Sequence, residues 1–181
     1  QLDEVLKTVI DQVMLRLEAE GVSVLLLENP TELVFAAVNG ASADKLRGQR
    51  IPARAGIAGE ALRTGQSIRI RSVEDRARIY RDIEKVSQYH SQDIVAVPLK
   101  LGTELLGVME AVHSQAYSFT DDALRLLESA GSWAAIAIGN ARQHQRLQRR
   151  LRESEVMAAI GRALNETLDL DQVLQLIVSS A

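Results

Sequence analysis

Residues 94–112 form the most apolar stretch of the chain, and their pattern predicts a β-hairpin. Two aliphatic runs, at 94–99 and 105–112, flank a turn at Gly102-Thr103, and each run has the length and β-branched content of an ordinary strand. Because both runs are almost continuously apolar, we expect each strand to be covered on both faces. Pro98 has no amide hydrogen to donate, so its strand should end, bulge or lie near a sheet edge there.

A second hairpin is predicted nearer the start of the chain. Residues 22–28 and 33–39 are apolar enough for buried strands, and the turn-forming residues Asn29 and Pro30 stand between them. A helix should precede this hairpin, because apolar residues recur at steps of three and four over 2–19. The chain is therefore expected to begin with a helix followed by antiparallel strands.

The middle of the chain is more polar and predicts short elements. A helical turn is expected at 42–46 and a short helix at 57–63. Ile68 and Ile70 alternate with arginines, which predicts a half-buried edge strand over 67–71.

Residues 72–90 offer few aliphatic side chains for packing against a core. They are Val73, Ile79, Ile83 and Val86. A helix is expected from about residue 76. Because so little apolar surface is available, this segment should be the most mobile part of the fold.

A long helix should begin near residue 118 and continue to about residue 165. Apolar residues keep helical spacing from Leu124 onward, and no Pro interrupts the chain to its end. Such length is typical of a coiled coil or of a linker between domains. The heptads are imperfect, because they require a phase shift between Leu151 and Met157.

One short sequence occurs twice. LDEVLKTVI at 2–10 returns as LDQVLQLIV at 170–178, an offset of 168 residues. That offset is the length of one domain and one linker, as in a tandem array. We therefore expect residues 167–181 to be the first helix of a second copy of the first domain.

The amino-acid composition excludes several kinds of functional site. Hydrophobic residues make up 46% of the chain and charged residues 25%, as in soluble globular proteins. The absence of Cys excludes disulfides, thiolate metal sites, thiol catalysis and a thioether-linked chromophore. No apolar run reaches the roughly 20 residues that span a bilayer, and no signal peptide opens the sequence. The chain begins with Gln1 rather than Met, so we expect an excised fragment of a cytoplasmic protein.

Charge is unevenly distributed along the chain. Residues 47–85 contain ten Lys or Arg and five Asp or Glu, a net charge of +5, so the rest of the chain carries −8 of its total of −3. Two interpretations stay open: these charges lie on solvated surfaces, or they form a positive wall beside a site for an anionic ligand. The Arg-rich residues 142–152 have no interleaved aromatic residues, so we predict the flank of a coiled coil there and no nucleic-acid site.

The order of these elements and several short motifs resemble the GAF domain family. The motifs are Gly56-Ile57-Ala58-Gly59 with Thr64-Gly65, Val97-Pro98-Leu99, Gly107-Val108, Phe119-Thr120, and Ala137-Ile138 followed by Asn140-Ala141. The resemblance covers roughly residues 2–146. It implies an α+β fold with a GAF-like central antiparallel sheet of about six strands. The long terminal helices would lie on one face, and the segment that covers a ligand pocket on the other.

The resemblance also implies a function. We expect a non-catalytic sensory and dimerisation module of a cytoplasmic signalling protein, such as a bacterial sensor histidine kinase in a two-component system. It would bind a small molecule and relay its state through its terminal helices. The expected organisation is a GAF-like domain over 1–146, a helical linker over 142–166 and a truncated second GAF-like domain over 167–181, followed by an output domain.

A homodimer is expected through the terminal helices. The small and aliphatic residues expected at this contact are Ala130, Ala134, Ala137, Ile138 and Ala141. Two other functions stay open. One is a haem-binding or anion-binding GAF domain that regulates a cyclase, phosphodiesterase or transcription regulator, and the other is an enzyme acting on a small molecule. No catalytic or metal-binding residue is predicted.

Departures from the family's motifs reduce the number of ligand classes that this chain is expected to bind. Cyclic-nucleotide-binding relatives carry an Asn-Lys pair, then Phe, then Asp-Glu after three more residues, whereas this chain has His113-Ser114, Phe119 and Ala123-Leu124 at those places. Bilin attachment through Cys and methionine-sulfoxide reduction by redox cysteines both need residues that this chain lacks. Haem stays an alternative, because His90 lies eight residues before Pro98, near the axial histidine of haem-binding relatives.

The ligand pocket is expected between the sheet and residues 71–90. Its candidate wall residues are Ile68, Ile70, Ile79, Tyr80, Ile83, Tyr89, His90 and Val97. The glycines of the GIAG motif are predicted to allow tight packing of a helix on the sheet. A phosphate site is disfavoured there, since the Lys-Ser/Thr of a P-loop is missing.

Overall fold

The structure, a computed structural model, describes residues 2–40, 42–71 and 77–179, with side chains as far as residue 160 and at residue 162. Within these residues there are six strands and five α-helices. In chain order they are α1 (Leu2–Leu17), β1 (Gly21–Asn29), β2 (Glu32–Gly40), α2 (Ala43–Leu46), β3 (Arg50–Pro52), α3 (Gly56–Thr64), β4 (Ile68–Ile70), α4 (Arg81–Ser87), β5 (Asp93–Leu101), β6 (Glu104–His113) and α5 (Asp121–Ser179).

The six strands form one antiparallel sheet in the order β3-β2-β1-β6-β5-β4. Both predicted hairpins are confirmed as β1-β2 and β5-β6, and they join where β1 pairs with β6. The edge strand β3 was not predicted, because its three residues are too few to show an alternating pattern. The α+β fold predicted from the sequence is confirmed.

Pro98, which has no amide hydrogen, lies in a part of β5 that has a neighbouring strand on one side only. The edge strand β4 pairs with β5 only from Ile94 to Ala96, so the β4 side of β5 is already unpaired at Pro98. The prediction that Pro98 marks an edge is confirmed.

The helix face of the sheet is covered by α1 and by the part of α5 before residue 140. Leu6 and Ile10 of α1 and Leu127 of α5 are completely buried, and they pack with Val97 and Leu99 of β5. The stripes predicted from helical spacing are confirmed as the sides of α1 and α5 that face the sheet.

The opposite face of the sheet, called here the cavity face, carries the short helices. Ile57 and Ala61 of α3 pack with Ile70, Ile94 and Val108 on the strands. Successive residues of a strand point to opposite faces, so the continuous apolar run of β5 supplies both cores. Coverage on both faces, as predicted for this hairpin, is confirmed.

Gly107 of β6 is required by a close approach of two backbones. A Cβ atom at this position would lie 2.0 Å from the carbonyl oxygen of Leu25 on β1, a distance that no side chain tolerates. Any other residue would force the two central strands apart.

The helix expected in residues 72–90 is shorter than predicted. It begins at Arg81 as α4 rather than near residue 76. Ile79 is buried and Val86 is 41% exposed. Val73 and the residues around the expected helix start lie outside the described residues, and the expected mobility of this segment stays a prediction.

Asn140–Ala181 form a second unit of the chain. Its described backbone belongs to α5, which continues to Ser179 instead of ending near residue 165. The apolar side chains of its first half are exposed; they are Leu147, Leu151, Val156, Met157 and Ile160. The domain boundaries expected from the sequence repeat stay a prediction. No helix within the described ranges is both long and apolar enough to cross a membrane.

Candidate functional site

A cavity of about 100 Å³ lies between the sheet and the segments that cover its cavity face. The strands β1, β2, β3, β5 and β6 contribute lining residues from the sheet, and α2, α3 and α4 contribute them from the covering side. Its apolar walls include Phe35, Val38, Ile51, Ile57, Ile94 and Val112. Since a protein cavity of about 150 Å³ can hold benzene, this cavity suits a compact molecule of few heavy atoms.

Four of the eight candidate wall residues line this cavity: Ile79, Tyr80, Ile83 and Tyr89. They come from α4 and the segments on either side of it, as expected. Contact between these four residues and a ligand stays a prediction, but all four line the same cavity.

The other four candidate residues lie elsewhere. Ile68 and Ile70 of β4 pack in the core of the cavity face without lining the cavity. Val97 is buried on the helix face of the sheet, because it alternates with Ala96 along β5. The sequence could not show which residues of a continuously apolar strand face which side.

His90 does not lie in the cavity. Its side chain is 75% exposed, and its Nδ1 is 3.9 Å from the Glu84 carboxylate. An exposed imidazole and a cavity of about 100 Å³ fit neither the axial ligation nor the volume of a porphyrin. The described residues therefore do not support haem binding.

Glu110 of β6 is the unusual polar residue of the cavity wall. It is half-buried and lines the cavity, with Val108 and Val112 beside it on the same face of β6. Among the described residues, its carboxyl group has no hydrogen-bond or ion-pair partner. Burial alone raises the pKa of Glu110 to about 7, because a charged carboxylate is poorly solvated there.

Ser23 of β1 stands directly opposite Glu110 in the sheet register. It is only 8% exposed and also lines the cavity. Sequence reasoning missed both residues, although a signal was present: Glu110 is the lone charge within the apolar run 105–112. A carboxyl group at an inward position of a buried strand is costly unless it has a partner or a use.

A cluster of hydrogen bonds involves two residues that line the cavity, Glu20 and Tyr89. Tyr89 donates its hydroxyl to the carboxylate of Glu20 in a short hydrogen bond. Ser114 donates to the same carboxylate from its backbone amide at 3.1 Å and its hydroxyl at 2.9 Å. These bonds, that of Tyr89 first, lower the pKa of Glu20, and burial raises the pKa of Tyr89. We call Tyr89 and Glu20 the clasp, since they tie the segment after α4 to the start of β1.

The charges around the cavity are acidic. Glu20, Glu84 and Glu110 line it, whereas no Lys, Arg or His among the described residues does so. Several basic residues of 47–85 instead form ion pairs with residues that do not line the cavity, such as Arg50 with Glu28 and Arg78 with Glu60. For the described residues, the interpretation of a positive wall beside the ligand site is wrong.

A second polar network joins the edge strand β4 to the start of α5. Arg69 and Arg71 both donate to the Asp121 carboxylate, at 3.2 and 2.8 Å. Arg69 also lies 3.9 Å from the fully buried Asp93, whose other oxygen accepts the backbone N–H of Phe119 at 2.9 Å. Burial, the largest influence, lowers the pKa of Arg69. This network connects the strand that leads into residues 72–90 with the first turn of α5.

The GIAG motif packs α3 against the cavity wall. Gly56 has a left-handed φ of +60°, and a Cβ atom there would lie 3.0 Å from the Cβ of Tyr80. At Gly59 a Cβ atom would lie 2.3 Å from the carbonyl carbon of Arg54. These glycines allow close packing, but against Tyr80 and Arg54 and not against a strand of the sheet as predicted.

Comparison with known proteins gives one family match. A model of the GAF domain family matches residues 1–138. No curated protein sequence matches the chain.

Several solved structures share the fold. The GAF domain of a phosphoenolpyruvate-protein phosphotransferase from Coxiella burnetii has a TM-score of 0.73 and is 18% identical, over 81% of this chain and 87% of that chain. The GAF-B domain of DevS from Mycobacterium smegmatis has a TM-score of 0.66 and is 22% identical, over 81% of this chain and 99% of that chain. A free methionine-R-sulfoxide reductase from Neisseria meningitidis, solved with its substrate, has a TM-score of 0.67 and is 19% identical, over 80% of this chain and 81% of that chain.

Proposed function

Because this chain belongs to the GAF domain family, we propose that its first domain is a non-catalytic sensory module of a cytoplasmic signalling protein. The module holds a small molecule in the cavity and transmits the occupied state through its terminal helices. The cavity is the observation that carries this proposal. Its walls are apolar with a few convergent polar groups, which is the usual composition of a small-molecule site.

The clasp supports a role in ligand entry. Tyr89 follows α4, whereas Glu20 precedes β1, so their hydrogen bond joins the cover of the cavity to the sheet. A ligand that contacts both sides favours the closed arrangement by its differential affinity. Opening of the clasp admits it.

The network at Asp121 supports a path to the output. Arg71 immediately precedes residues 72–76 and pairs with the first turn of α5. A shift of Arg71 therefore acts directly on Asp121 through this ion pair, and α5 continues uninterrupted from Asp121 to Ser179. We infer that the parent protein, such as a sensor histidine kinase, reads the state of α5, and that residues 167–181 begin its second GAF-like domain.

An enzymatic function is the alternative, because some solved structures with this fold are free methionine-R-sulfoxide reductases. The sequence has no Cys, so this chain supplies no thiolate nucleophile or redox thiol. This absence from the sequence supports binding without catalysis.

A homodimer through α5 forms part of the proposal, but on a different side of the helix from the one expected. Ala134 and Ile138 are completely buried within the protomer, so their assignment to a dimer contact is wrong. The adjacent side of α5 exposes 71% of Trp133 and 46% of Ile136. Large exposed apolar groups of this kind are typical of interaction surfaces.

Trp133→Glu tests this dimer surface. The variant should be monomeric at micromolar concentration by light scattering, whereas Gln49→Glu, which adds a negative charge at an exposed position outside α5, should keep the parental mass. If the parent is dimeric and Trp133→Glu remains so, the surface is misassigned.

The ligand-binding proposal is tested by hydrogen exchange with a deproteinised small-molecule fraction of a cell extract. Exchange of residues 77–91 should slow when the fraction is added to the parent protein. The variant Ser23→Leu fills the cavity floor and should abolish that response, while the exposed control Ser129→Leu should retain it. Equal slowing in the Ser23→Leu variant would place the binding site elsewhere.

A further inference from the structure

We propose that Glu110 is the partner of a cationic group on the ligand, so that the cavity selects a small protonated amine with a compact apolar body. This inference rests on the proposed ligand-binding function and specifies the charge of the ligand. It replaces the anionic ligand that the basic residues suggested from the sequence alone.

The first argument is the position of the carboxyl group. Glu110 lies on a central strand between β1 and β5, and its half-buried side chain lines the cavity. It has no partner among the described residues. A buried polar group without a partner is costly, and an ammonium group in the cavity would supply the missing charge-assisted hydrogen bond.

The second argument is the sign of the surrounding charge. Glu20 and Glu84 line the same cavity, whereas every described basic residue lies outside its lining. Glu20 is already occupied by Tyr89 and Ser114, so it contributes negative potential without competing for the ligand. Carboxylates attract a cation and repel an anion in a site of low dielectric constant.

The third argument is the shape of the remaining wall. Opposite Glu110, the hydroxyl of Ser23 can accept a second hydrogen bond from an ammonium group. Away from these two residues the cavity is formed by aliphatic and aromatic side chains such as Phe35, Ile57 and Ile79. A ligand with one polar end and an apolar body matches this division.

The test compares three molecules of similar size and different charge: isobutylamine, isobutanol and isobutyrate. Each is titrated into the parent protein at pH 8, and amide chemical shifts of residues 23, 80 and 110 report occupancy of the cavity. The amine should bind more tightly than the alcohol, and the carboxylate should not bind. Glu110→Gln should weaken amine binding at least tenfold and leave the alcohol unchanged.

Two controls separate charge at the cavity from charge elsewhere. Glu104→Gln removes an exposed carboxylate from the same strand and should leave the amine affinity unchanged. Between pH 8 and pH 6 the parent should lose about tenfold in amine affinity as Glu110 becomes protonated. The other titratable groups lining the cavity are Glu20, Glu84, Tyr80 and Tyr89. The Glu110→Gln variant should therefore lose this pH dependence.

Each outcome has a defined meaning. Binding of the alcohol or the carboxylate at the cavity without preference for the amine overturns the cation assignment and leaves the ligand site standing. Equal amine affinity in the parent and Glu110→Gln overturns the role of Glu110. If none of the three molecules shifts the cavity residues, both this inference and the cavity as a ligand site are overturned.

Discussion

The two faces of the sheet are built from the same strands but differ in how completely they are filled. On the helix face, Leu6, Ile10, Leu127 and Ile138 are all completely buried. On the cavity face, the short helices α2, α3 and α4 leave a cavity of about 100 Å³ unfilled, and Glu110 of β6 lines it. The comparison teaches that long helices fill one face of the sheet completely, whereas short elements leave space on the other, where we propose that a ligand binds.

Length of the covering helices explains the difference. The helices α1 and α5 span many turns and place apolar side chains along the whole sheet, whereas α4 has seven residues. A short cover buries less apolar surface and is held by a few polar contacts, such as the clasp. Elements of this kind open at lower free energy than the core.

The largest predicted effect on stability comes from a substitution on the helix face of the sheet. Leu127→Ala removes a completely buried side chain and should lower the free energy of unfolding by about 2–5 kcal/mol, through lost burial and a residual cavity. The matched change Ile79→Ala lies on the already incomplete cavity face and should cost less. Urea denaturation measures both. Equal losses would show that the two faces are packed equally well.

The second prediction concerns Glu110 and pH. Its pKa rises from 4.5 in the unfolded chain to about 7 in the folded domain. The folded state therefore retains a proton that the unfolded state loses, and stability falls as pH rises from 4.5 to 7. Above pH 7 the folded state carries the full free-energy cost of burying the ionised Glu110 carboxylate.

Glu110→Gln removes this cost, because it cannot ionise. The variant should be more stable than the parent by roughly 2 kcal/mol at pH 8, a value reduced for the partial accessibility of the side chain, and should show little difference near pH 4.5. Denaturation at the two pH values measures the change, with Glu104→Gln as control. A gain of equal size at both values would contradict a raised pKa.

The third prediction loosens the clasp. Tyr89→Phe removes the hydroxyl that binds Glu20, a hydrogen bond to a charged group, at a local cost of about 1.5 kcal/mol. Hydrogen exchange over residues 77–91 should become about tenfold faster, while exchange in α1 stays unchanged. Acceleration in both regions would mean that the tyrosine supports the whole fold rather than the cover.

The smallest predicted effect on stability is at the network between β4 and α5. Asp121→Asn weakens ion pairs with Arg69 and Arg71, but the Asp121 side chain is 74% exposed. The free energy of unfolding should therefore change by no more than about 0.5–1 kcal/mol. If the network transmits the bound state, isobutylamine should slow hydrogen exchange at the start of α5 in the parent protein, and this slowing should be absent from Asp121→Asn. Its persistence would exclude this path.

The sequence by itself determined most of the frame. The periods of two and of about 3.6 in apolar residues located both hairpins and the two long helices, and the GIAG and VPL motifs identified the family. These features are local, because each depends on neighbouring residues of one element. Close packing at the glycines of the GIAG motif was also predicted, although not its partners Arg54 and Tyr80.

Only the tertiary structure decided which residues meet in the cavity. Val97 and Ala96 are adjacent and both apolar, yet the strand pleat sends them to opposite faces. The arginines near the expected pocket bind carboxylates distant in sequence, as Arg69 and Arg71 do with Asp121. Glu110 became a site residue because β1 and β5 enclose it and leave it without a partner. Charge pairing and burial depend on contacts between distant segments, and composition along the chain does not contain them.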